Sequence, residues 1–312
     1  MPNWNEILDE IKKEVKQKNE SVVDKIRRKY LKQLYNHEKT KNRNIIIYYS
    51  GWLQKRGAEN IEINDNDKNG FMAVIDGLDK DKGLDLILHT PGGGMAATES
   101  LIDYLRSIFG NDIRTIVPQL ALSAGSLIAL SSKKIIMGKQ SSLGPVDPQL
   151  NGLPAQGVID DFERAKKEMT KARNKGETGT IDAWQAILSN YSPSLIDHCY
   201  KSIKWSEKML KNNLKTGMFD GEDDFSKKFD KIKELFSETE NSKTHNRHYS
   251  MKKLKDNTDL KIEAMEEDDD YQDKILSVHH AAMHTLGNTT TVKIIENHEG
   301  RAFMSHIRNK KN

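Results

Sequence analysis

The chain has 312 residues, 36% of them apolar and 30% charged, with a formal net charge of +3. That balance suits a water-soluble globular chain and gives no argument for nucleic-acid binding. One cysteine, Cys199, excludes an internal disulfide and fits a reducing compartment, so a cytoplasmic location is expected.

The first stretch, MPNWNEILDEIKKEVKQKNE, carries charges throughout and lacks the apolar segment of a signal peptide. No run approaches the roughly 18 apolar residues that span a bilayer. Trp4, Ile7, Leu8, Ile11 and Val15 recur at helical spacing, and a second helix is expected over Val22 to Leu34. Residues 1–42 therefore read as a helical extension, either docked on the rest or offered to a partner protein or a membrane surface. Residues 43–312 read as one domain.

The pattern then changes. Asn44–Tyr49 is a buried strand, and Ile61–Ile63 a second short one followed by a polar loop, NDNDKNG. Phe71–Leu78 reads as a helix, Leu84–His89 as a strand, and the stretch after three glycines as a helix to Phe109. Ile113–Val117 and Lys134–Met137 are strands on either side of a helix over Ser123–Ser131. Strands alternating with helices predict parallel pairing and an α/β core. From Gln156 onward helices dominate: Phe162–Lys175, Asp182–Leu188 and Ser194–Leu214, the last capped by Ser192 and Pro193. Asp223–Lys255 is polar and shows no clear period. Gln272–Leu286 is a helix and Val292–Ile295 a late strand.

Two strand–turn–helix junctions carry the chemistry. The first is LILHTPGGGMAATESL, Leu86 to Leu101. A glycine junction at a helix N-terminus presents backbone N–H groups to an anion. Neither G-x-x-x-x-G-K-[ST] nor G-x-G-x-x-G is present, which leaves an oxyanion hole or a plain tight turn. The second is VPQLALSAGSLIAL, residues 117–130, which places Ser123 between a strand exit and a helix of small residues. There a serine can expose its hydroxyl, with the N–H of Ala124 beside that of Gly92. The alternative is that these residues are small for close packing alone.

LDLILHTPGGGMAA, ALSAGSLIAL and MGKQSSLGPVDPQ, following one another closely, resemble the serine dehydrogenase proteinase family. That family belongs to the wider class of the Clp protease proteolytic subunit and signal peptide peptidase A. RRKYLKQLYNHEKTKNRNIIIYYSGWL, LSVHHAAMHTL and VKIIENHEGRAFM extend the resemblance over nearly the whole chain. It implies an α/β Clp/crotonase fold of repeated β-β-α units and serine hydrolase chemistry on peptide or protein substrates. It also implies a homo-oligomer, with no cofactor and no metal. Ser123 matches the nucleophile, Gly92 and Gly93 the oxyanion loop, and Ala124 the second donor.

The general base does not follow from the motifs. No histidine lies between Ser123 and His198. Lys139, Lys166 and Lys167 are available without a motif. Asp147, in GPVDPQ, stands where the class places its second catalytic group, and is either an orienting carboxylate or a turn cap. His89 precedes the oxyanion loop and is either catalytic or a core histidine. His280 and His284 share a helix face but lack the glutamate of H-E-x-x-H, and His245 and His248 lie in a polar stretch. Cys199 has no nucleophile motif. Two other readings compete: a scaffold that keeps the fold but hydrolyses poorly, and acyl-CoA chemistry on the crotonase pattern.

Overall fold

The structure, a computed structural model, describes residues 6–7, 9–10, 22–150, 152–237 and 247–307. Trp4, Leu8, Ile11, Val15 and His245 lie outside the described residues.

Helix α1 (Val22–Tyr35) leads into strand β1 (Asn44–Ser50), helix α2 (Asn66–Ile75) and strand β2 (Leu84–His89). Helix α3 (Met95–Phe109), strands β3 (Ile113–Val117) and β4 (Leu120–Ala121), helix α4 (Ala124–Leu130) and strand β5 (Lys134–Met137) follow. Short strands β6 (Ser142–Leu143), β7 (Gln149–Leu150) and β8 (Leu153–Pro154) precede three long helices, α5 (Ala155–Lys175), α6 (Thr178–Leu188) and α7 (Pro193–Thr216). The remainder comprises α8 (Phe225–Ser237), β9 (Tyr249–Ser250), α9 (Met251–Asn257), β10 (Ile262–Ala264), α10 (Asp269–Asn288), β11 (Thr291–Asn297) and β12 (Ala302–His306).

The main sheet runs β10-β5-β3-β2-β1-β11-β12, parallel from β10 to β1 and antiparallel at β11 and β12. Its central strands are buried on both faces, which is why they read as continuous apolar runs. Ile46, Tyr48, Leu86 and Leu88 face a core shared with α2, α3, α4 and α8. Ile45, Ile47, Tyr49 and Ile87 face the opposite core, under α1 and α10. Arg27 of α1, fully buried, donates to Glu296 of β11 (2.5 Å) and so pins the N-terminal helix to the sheet.

After β3 and β5 the chain turns into a second small layer, β4-β6-β9, before continuing. This mixed α/β arrangement with its large mixed sheet is consistent with the Clp/crotonase fold. Helix α5 packs against α6 and against α7, and shares with the start of α7 a separate apolar cluster of Ala155, Val158, Ile159 and Cys199.

Several elements differ from expectation. The segment NDNDKNG is not a loop: α2 begins at Asn66, because Asp67 is buried against Lys293 of β11 at 2.7 Å. Ile61–Ile63 forms no strand, and only Ile63 bridges, to Gly93. The polar stretch Asp223–Lys255 holds α8, β9 and α9. The period of α8 is carried by Phe225, Phe229, Ile232 and Phe236, all buried on one face.

Candidate active site

The two junctions meet. Thr90, just after β2, bridges Ala121 in parallel register. Its N–H donates to Leu120 O (3.1 Å) and its carbonyl accepts from Leu122 N–H (3.0 Å). The glycine loop and the serine turn are therefore held side by side. A Cβ on Gly92 would lie 2.7 Å from both Leu122 O and Ser123 Cβ, and 2.9 Å from Ala124 N. With φ +102° as well, only glycine permits this approach.

Ser123 sits at φ 51°, ψ −120°, a sparsely populated conformation for any residue with a side chain. It is the cap of α4, so the Ala124 amide opens the helix as an unsatisfied donor. Ser126, one turn on, donates to Ala121 O and accepts from Gly144 N–H, both at 2.8 Å. This ties the serine turn to the segment that carries Asp147.

The glycines divide their roles. Gly92 N–H donates to Thr90 Oγ1 (3.2 Å), so that amide is occupied within the loop. Gly92 O accepts from Ile63 N–H (2.8 Å). In a trans peptide the carbonyl and the following N–H point in opposite directions. The Gly93 amide therefore points away from Ile63. Neither the Gly93 nor the Ala124 amide has a hydrogen-bond partner among the described residues. A side chain at Gly93 would strike the Ile63 backbone, with N at 2.3 Å.

These residues line a cleft of about 550 Å³ together with Asp147, Leu150 and Trp205. The Trp205 indole donates to Glu99 (3.1 Å), which fixes it at the rim. Asp147 is buried at 6% exposure. The residue before it, Val146, is tied at both polar groups: its N–H donates to Phe236 O (2.8 Å) and its carbonyl accepts from Ser206 Oγ (3.1 Å). The Asp147 charge reaches the buried Tyr249 phenol: burial first, and then Asp147, push that phenol up to about 12, against an opposing pull from Arg247.

Ser123, Gly92, Gly93, Ala124 and Asp147 thus share one cleft, whereas His89 is not among its lining residues. Its ring faces α10, between Trp52 (centroids 4.4 Å), His279 (5.3 Å) and Tyr49 (5.4 Å). Burial pulls its pKa to about 3, and a backbone interaction with Leu120 offsets this only in part. The possibility of a catalytic His89 gives way to a core imidazole, because β2 turns that side chain to the face opposite Leu88. Lys139, Lys166, Lys167, His198 and His248 are exposed and none lines the cleft. Cys199 is buried, and burial raises its thiol, which makes it a poor nucleophile. Among the described lining residues the carboxylates are Glu62 and Asp147, and there is neither histidine nor lysine. No group of three or more His, Cys, Asp or Glu among the described residues could hold a metal ion. No described helix is long and apolar enough to cross a membrane.

A family model described as ClpP-like SDH-type serine proteinase matches residues 58–272. Two uncharacterized proteins of Methanocaldococcus jannaschii are similar: one is 42% identical over 31% of this chain and 34% of its own length. The other is 31% identical over 61% of this chain and 56% of its own length. The ATP-dependent Clp protease proteolytic subunit of Streptococcus mutans is 28% identical over 51% of this chain and 79% of that subunit. The chain thus spans between a third and a little over half of the two archaeal relatives.

Proposed function

Because the chain belongs to the ClpP-like SDH-type serine proteinase family, we propose that it hydrolyses peptide bonds through an acyl-enzyme on Ser123. The observation that carries this reading is the strained Ser123 turn lying against the glycine loop, beside two unsatisfied amides. Ser123 Oγ attacks the peptide carbonyl and gives up its proton as the Oγ–C bond forms. The resulting oxyanion accepts hydrogen bonds from Gly93 N–H and Ala124 N–H. Collapse breaks the C–N bond, the amine leaves with the proton that the serine gave up, and water then cleaves the ester, releasing the acid and restoring the Ser123 hydroxyl. Gly92 acts by its shape, allowing the loop to reach the serine. Asp147, buried in the same cleft, is placed to orient the group that takes the serine proton. Peptides or unfolded proteins are the substrates, and a homo-oligomer is expected from the Clp resemblance.

A fluorophosphonate probe tests the reading, since it phosphonylates a serine only where nucleophile and oxyanion hole work together. The parent protein is expected to label and Ser123→Ala to remain unlabelled. Equal labelling of both would refute the assignment. A slow scaffold is the competing reading, favoured by the lack of histidine and lysine among the described lining residues, and it predicts an unlabelled parent.

A further inference from the structure

Two sets of buried polar contacts hold the glycine loop. Lys293 of β11 and Asp67 of α2 are almost wholly buried and paired, Nζ to Oδ1 at 2.7 Å and to Oδ2 at 3.0 Å. The Tyr48 phenol of β1 donates to Asp67 Oδ2 (2.8 Å), which adds a third hydrogen bond to that buried carboxylate. Thr90 Oγ1 accepts from Gly92 N–H (3.2 Å).

The same ion pair holds the other side of the loop. Lys293 Nζ donates to Glu62 O (2.8 Å), and Asp67 Oδ2 accepts from Asn64 N–H (3.0 Å). Those two anchors flank Ile63, whose N–H fixes Gly92 O and whose carbonyl accepts from Gly94 N–H (2.9 Å). One edge of Gly92 is therefore set by Thr90, and the other, through Ile63, by the buried pair. Thr90 also touches the serine turn: a Cβ on Gly125 would meet Thr90 Cγ2 at 2.5 Å.

We propose that Thr90, Tyr48, Asp67 and Lys293 form a positioning network that fixes the Gly92–Gly94 loop against Ser123 and aims the Gly93 amide into the cleft. None of the four lines the cleft, so they act through the loop. The proposal rests on the serine-peptidase reading for its catalytic consequence, and on geometry alone for the loop.

Three mild variants test it. Thr90→Val removes Oγ1 and keeps the methyl that packs on Gly125. Thr90→Ser keeps Oγ1 and drops that methyl. Tyr48→Phe removes the phenol oxygen while the ring stays stacked on Phe71, with centroids at 5.9 Å. In Thr90→Val and Tyr48→Phe, kcat is expected to fall about 10- to 100-fold with KM nearly unchanged, as for a reacting group displaced by about an ångström. Thr90→Ser should stay close to the parent. Hydrogen–deuterium exchange of the peptide covering residues 89–95 supplies a readout independent of turnover. It should quicken in the first two variants and not in the third. Unchanged loop exchange in Thr90→Val and Tyr48→Phe would overturn the network, whatever the activity. So would Thr90→Ser being as impaired as Thr90→Val, since the methyl would then matter and the hydrogen bond would not. A parent that fails to label with the phosphonate tells against the peptidase reading alone, and loop exchange still decides the network.

Discussion

Acidification should destabilise the fold through His89, by an amount the structure allows to be estimated. Its ring is fully buried among Tyr49, Trp52 and His279, and its pKa falls from an ordinary 6.5 to about 3. A histidine with a depressed folded pKa binds more protons unfolded than folded in this window, so stability is greatest above pH 6.5 and falls as pH drops toward 3. At about pH 5 the unfolded imidazole is almost wholly charged and the folded one neutral, a loss of about 2 kcal/mol; below pH 3 the loss levels off near about 5 kcal/mol. His279, whose pKa burial also drives well down, adds in the same direction. His89→Phe keeps the ring contacts and cannot charge. Urea denaturation at about pH 7.5 and about pH 5, for parent and variant, isolates the term. The parent should lose about 2 kcal/mol more than the variant over this interval. Equal losses would refute the claim that His89 is held neutral by burial.

Two further outcomes are expected at the cleft. Gly92→Ala introduces a Cβ 2.7 Å from Leu122 O at φ +102°, and should lower kcat about 100-fold or more with a smaller loss of thermal stability, measured by steady-state peptide cleavage and a melting curve. Asp147→Asn keeps the shape of the buried side chain and removes its charge; turnover should fall about tenfold or more and the pH–rate profile should move, and an unchanged rate and profile would reduce Asp147 to a turn residue.

The features that could be read from the sequence were local ones. Ser123 and the three glycines announce themselves because each junction needs only a strand, a turn and a helix within a few residues. The long strands were legible because burial on both faces leaves continuous apolar runs. Asp67 was not, since its partner Lys293 lies 226 residues away and an N-D-N-D stretch without that cation reads as a solvated loop. The division of labour between Gly92 and Gly93 was equally hidden, because it depends on Ile63, which pairs through one residue with no strand to signal it. His89 was closer to legible. The alternation of Leu84, Leu86 and Leu88 toward one core already sends His89 to the other face. The Phe225–Phe229–Ile232–Phe236 spacing was present too, masked by the lysines between.

Helix α7 belongs to two packing units at once. Its first half contributes Cys199 to the small cluster with α5, while Met209, Leu210 and Leu214 are seated in the main core. Ser202, Trp205 and Ser206, which form one wall of the cleft, lie between these halves. The cleft accordingly has a floor built on the sheet and a wall built where a deeply anchored rod emerges into a thinly buried bundle. Segments with few buried apolar contacts open at lower free energy than the global fold. Widening of the wall about a pivot in mid-α7 would therefore leave the spacing between Ser123 and the glycine loop intact, so the width available to a substrate and the geometry offered to its carbonyl are separately adjustable.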